Sequence, residues 1–185
     1  MGQDASVYTQ LSIKPYSSAK QAIAAVEALR SVVGDRIAPD SIRSVAIRVP
    51  KAYAGMIGGE VDIGNRATTF SSVRYQAALA LFHPASLYDI ERDRLPLSAA
   101  MKAFMSKVTI EVDEKLARHY PVCWPAAVVV DVDGNLSEQT VLAAPGDPDR
   151  RFTDSQVADK AAHVLDAAIG PRKRSEWLEI GRAHV

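Results

Sequence analysis

The order of periodic segments predicts an α+β fold. It is a two-layer sandwich in which a mostly antiparallel sheet of about four strands carries helices on one face. Three observations predict it. Apolar residues recur at intervals of three and four in 18–33, in 68–82 and from Thr153 to Gly170. Two other runs, 44–49 and 108–112, alternate apolar and polar residues as half-buried strands do. Asp133-Gly134-Asn135 lies between two further apolar runs, and its residues tolerate the positive φ of a tight hairpin turn.

The first helix spans 18–33, with Ala22, Val26, Leu29 and Val33 inward, and Gly34 stands where a C-cap belongs. Val45, Ile47 and Val49 share one face of the first strand, which Pro50 ends. Residues 51–65 contain Gly55, Gly58, Gly59 and Gly64 and read as a loop or a broken turn of helix. In 68–82 a single stripe of Phe70, Val73, Ala77, Ala78 and Leu81 faces inward, and Pro84 stops the helix. Leu87–Arg92 and Leu97–Met105 read as two short helices parted by Pro96, followed by the strand with Val108, Ile110 and Val112. The hairpin arms are Ala126–Asp131 and Leu136–Ala143. Val128 to Val130 is apolar on both faces, which places that arm centrally in the sheet. Pro145-Gly146-Asp147-Pro148-Asp149 is a stiff polar loop. Thr153 and Gln156 form a capping box for a last helix with Val157, Ala161, Val164, Leu165 and Ala168 inward, ended by Gly170-Pro171.

Composition bounds the function. The chain has 185 residues, 48% of them apolar and 24% charged, enough for one domain with its own core. Its 22 basic and 22 acidic residues cancel, which argues against a general electrostatic nucleic-acid binder. Cys123 is the only cysteine, so no intrachain disulfide exists and a reducing, cytoplasmic setting fits. No apolar run approaches the about 18 residues that cross a bilayer, and the N-terminus has no secretory pattern. Ile180–Val185 reads like a translated sequencing adapter, so those residues, His184 included, are set aside.

The chemistry-bearing candidates are few. His83, His119 and His163 have no metal-ligand spacing, and no glycine pattern cradles a nucleotide, so neither metal nor cofactor is expected. His163 and Cys123 read as structural, and Asp131, Asp133, Asp147 and Asp149 fit turn chemistry better than a cation site. The informative stretch is Lys14-Pro15-Tyr16-Ser17-Ser18. Proline keeps Lys14 extended, and Ser17 or Ser18 can cap the helix that follows. Lys14, Lys20 and the first-turn amides would favour a carboxylate there. The alternative is a solvated lysine ahead of an ordinary cap.

Five landmarks in order resemble the C-terminal portion of the MmgE/PrpD family, over roughly residues 8–170. They are Lys14-Pro15-Tyr16, the strand closing Arg48-Val49-Pro50, Ser72-Val73-Arg74-Tyr75, Tyr120-Pro121 with Pro125-Ala126, and Pro145-Gly146-Asp147-Pro148. That family includes 2-methylcitrate dehydratases, cis-aconitate decarboxylases and iminodisuccinate epimerases. The resemblance implies a lid domain that closes over a large helical domain. Residues 1–17 would enter from that missing N-terminal helical domain, 18–150 would form the lid, 151–179 would return to the helices, and 180–185 would be the adapter.

It implies a cytoplasmic lyase or isomerase of dehydratase type. The substrate would be a small polycarboxylate such as a 2-methylcitrate-like hydroxy acid, and the complete protein would be a homodimer with no cofactor, nucleic acid or membrane. Lys14 matches the family's active-site lysine, with Tyr16, Ser17, Ser18, Lys20 and Tyr53 as substrate-binding positions. Lys20 stands where arginine is common, and Ala19 and Ile23 stand where a histidine is often found, a departure that points away from decarboxylation. The competing reading is a non-catalytic, stand-alone α+β binding or scaffold domain.

Overall fold

The computed structural model describes residues 11–91 and 95–170. Seven α-helices and four strands occur in these residues: α1 Lys20–Val33, β1 Ile42–Val49, α2 Lys51–Ile57, α3 Arg66–Ser71, α4 Val73–Phe82, α5 Ala99–Met105, β2 Val108–Val112, α6 Glu114–Ala117, β3 Ala126–Val132, β4 Asn135–Val141 and α7 Asp154–Ile169. The strand order is β2-β1-β3-β4. β1 runs parallel to β2 and antiparallel to β3, which pairs antiparallel with β4. The fold is therefore α+β with a mixed, four-stranded sheet, antiparallel in two of its three pairings. The parallel pair arises because α2 to α5 intervene between β1 and β2, and that length lets the chain return in the same direction.

Alternation decides which face is buried. Val45, Ile47 and Val49 of β1 are buried on the same face as Val128 and Val130 of β3, and α1 packs on β3 and β4. On the other face Arg48 pairs with Glu111 of β2 at 3.2 Å and reaches across β3 to Glu138 of β4 at 3.6 Å. β3 is an interior strand, as its apolar run predicts. Asp133 and Gly134 turn the hairpin with φ of 53° and 86°, and the Asp131 carboxylate accepts the Gly134 amide at 2.7 Å.

Several expectations are corrected. Residues 51–57 form a regular helix whose Tyr53 and Ile57 are buried; Pro50 stands at its N-cap, where no donor is needed. The segment 68–82 is two helices broken at Ser72, whose ψ of 110° is extended. α4 is buried nearly all round, because it lies between α1 and α5, so no single stripe exists. Residues 84–87 make a 3-10 turn where a helix from Leu87 is expected, and α6 has no counterpart in the sequence reading. α7 has its capping box, but Val157 and Val164 are exposed and none of its described side chains is fully buried. No helix among the described residues is long and apolar enough to cross a membrane. The Ile180–Val185 segment lies outside the described residues.

Candidate functional site

Residues 12–20 cross the start of α1 as an irregular strap, and the loop after β4 holds the strap in place. The Ile13 amide donates to the Gly146 carbonyl at 2.8 Å. Gly146 has φ +85°, and a Cβ there would stand 1.9 Å from the Ile13 carbonyl oxygen, so only glycine fits this crossing. Asp147 is 6% exposed and satisfies both carboxylate oxygens. One accepts Ser12 Oγ at 2.9 Å and the Lys20 ammonium, while the other accepts the Ala144 amide at 2.8 Å.

This clamp separates the two corner lysines. Lys20 is mostly buried and neutralised by Asp147. Lys14 is exposed and donates to the Ser18 carbonyl at 3.0 Å; it makes no ion pair among the described residues. An ammonium has three donors, so one such bond leaves capacity for a ligand.

The serines do not cap α1. Its N-cap is Ala19, without a side-chain bond, and the Ala19 amide donates to the Phe70 carbonyl at 2.8 Å. Packing of the α3–α4 break against the strap supplies that acceptor, so the expected cap has no role. The Ser17 amide donates to the Leu87 carbonyl at 3.0 Å. Ser18 is buried, and its hydroxyl oxygen has no hydrogen-bond partner.

Both candidate tyrosines point inward. Tyr16 is buried; its hydroxyl donates to Glu27 Oε1 at 3.2 Å and its ring meets Tyr88 edge-on at 6.2 Å. Burial, reinforced by the Glu27 carboxylate, holds its phenol well above the usual tyrosine range. Tyr53 is buried on α2, donates to the Pro125 carbonyl and packs against Tyr120 and Trp124. Burial raises its phenol as well.

The remaining candidates are structural. His163 stacks on Tyr88 at 4.4 Å. Burial pushes the Cys123 thiol up, and Asp149 and Asp147 add to that, which disfavours the thiolate a nucleophile needs. No group of histidine, cysteine or carboxylate residues that could hold a metal exists among the described residues.

Sequence reasoning missed Ser12, Gly146 and Asp147 as parts of this corner. The signal available was Gly146-Asp147 between two prolines, read as a stiff loop and a family landmark but not as a partner of Lys20.

Residues 16–183 match the profile described as the MmgE/PrpD C-terminal domain. The chain belongs to the MmgE/PrpD family. It is classed at family level as a lyase domain of dehydratase type. No curated protein matches it. The matched span of this MmgE/PrpD domain includes Asp147, Lys20 and the buried Tyr16 and Tyr53, and it begins two residues after Lys14.

Proposed function

We propose that this domain is the lid of a cytoplasmic lyase or isomerase that acts on a small polycarboxylate such as a 2-methylcitrate-like hydroxy acid. The reaction is proton abstraction beside a carboxylate, followed by loss of water or by reprotonation. The observation that carries this reading is the contrast between the corner lysines: Lys20 is spent on Asp147, whereas Lys14 is exposed and has no carboxylate partner among the described residues.

An exposed ammonium on a strap fixed at both ends can meet a substrate carboxylate without first losing much freedom. Lys14 binds that carboxylate or moves a proton there, with the Ser17 and Ser18 backbone setting its approach. Lys20 acts through the clamp by holding the strap. Tyr16 and Tyr53 support the reading only as buried anchors, because their hydroxyls are already engaged.

Exposed Leu11 just ahead of the strap, Ile13 on it, and Val157 and Val164 on α7 are apolar surface that a helical N-terminal domain would cover as the lid closes. In this reading the complete enzyme is a homodimer.

The test is Lys14→Ala in an enzyme that joins this domain to its helical partner, assayed on hydroxy-polycarboxylates. Turnover falls about a hundredfold or more if Lys14 has this role. Near-normal turnover would falsify it.

A further inference from the structure

We propose that the cleft between α1 and α7 binds a compact, multiply charged anion, at a site separate from the Lys14 corner. The cleft encloses about 360 Å³, within the range of small-ligand sites. Arg30 comes from α1, Lys160 and Gln156 come from α7, and Arg150 comes from the loop between β4 and α7. Tyr16 and Tyr88 supply aromatic walls. His163 stacks on Tyr88 at 4.4 Å and ties α7 to that wall.

The charges are unequally partnered. Glu27 also lines the cleft, and its carboxylate is occupied by Arg30 at 3.3 Å and by the Tyr16 hydroxyl at 3.2 Å. Arg150 and Lys160 make no ion pair among the described residues. Asp159 is in the same lining but pairs with neither. Partial burial lowers the Lys160 pKa, and an anion held beside it would favour the ammonium form.

Two uncompensated cations facing one concavity with aromatic walls concentrate positive potential inside it. The arginine offers a planar fork and the lysine a point charge. A single carboxylate neutralises only one of the two charges, whereas a polycarboxylate or a phosphate group matches both. Pro15 and Tyr16 of the strap line the cleft but Lys14 does not, so the cleft adjoins the strap corner without including its ammonium.

The test is thermal unfolding and calorimetric titration of the full chain with citrate and, separately, with pyrophosphate, against sodium chloride at matched ionic strength. At least one of the two should stabilise the protein beyond the salt control, and which one does so identifies the anion class. Arg150→Ala and Lys160→Ala should each weaken that binding about tenfold or more, on the scale of hydrogen bonds to charged groups. Arg48→Ala, on the far face of the sheet, should leave it unchanged. Absence of any effect beyond salt, or full binding in the Arg150→Ala/Lys160→Ala double variant, overturns the site. Binding abolished by Lys14→Ala overturns its separateness, while leaving the Lys14 reading intact.

Discussion

Lys20 and Asp147, 127 positions apart, form a mostly buried ion pair that joins the first residue of α1 to the loop after β4. The pair is embedded in hydrogen bonds from Ser12 and from the Ala144 amide, so both carboxylate oxygens are used. It fixes the strap that carries Lys14.

Asp147→Asn should destabilise the domain by about 3 kcal/mol, because a partly buried ammonium is left without its counter-charge. Urea denaturation would measure this. Adding Lys20→Met should recover part of the loss, since no orphaned charge then remains. If the double variant is no more stable than Asp147→Asn alone, the ion pair is not the source of the loss.

Gly146→Ala introduces a methyl group 1.9 Å from the Ile13 carbonyl at a backbone φ of +85°. The expected cost exceeds about 1 kcal/mol, and the strap should lift away from the loop. Hydrogen exchange at Ile13, whose amide donates to Gly146, is the direct probe. Faster exchange there, with β1 and β3 amides still protected, is the expected pattern. Uniformly unchanged protection would show that the crossing tolerates a side chain.

Tyr16 and Tyr53 set an alkaline limit. Both phenols have folded pKa values raised by burial above about 10, the unfolded value. Above that pH the unfolded chain releases protons that the native protein retains, so the unfolded state binds fewer and stability falls as pH rises. The stabilising contribution is complete below about pH 10 and declines above it. Denaturation midpoints at neutral pH and near pH 11 should differ, and Tyr53→Phe should flatten the slope. The same slope in Tyr16→Phe and Tyr53→Phe would assign it to other groups.

Much of this fold was legible along the chain, because the signals are local. Helical spacing located α1 to within two residues, alternation located β1 and β2, and Asp133-Gly134 located the hairpin, each from backbone geometry that neighbouring residues impose. The ordered landmarks pointed to the MmgE/PrpD family, which the match over 16–183 establishes. What the sequence could not decide was who partners whom at a distance. Ser17 and Ser18 have the right chemistry to cap α1, yet the Phe70 carbonyl takes the neighbouring Ala19 amide. Val157 and Val164 have an inward-facing period, yet they are exposed, because the Gln156, Lys160 and His163 side of α7 lines the cleft with α1. Lys14 and Lys20 look alike in sequence; only the fold brings Asp147 to one and leaves the other without a carboxylate among the described residues. Periodicity and turn chemistry are short-range and can be read from the chain, whereas charge pairing and burial depend on contacts between distant segments and exist only once the chain has folded.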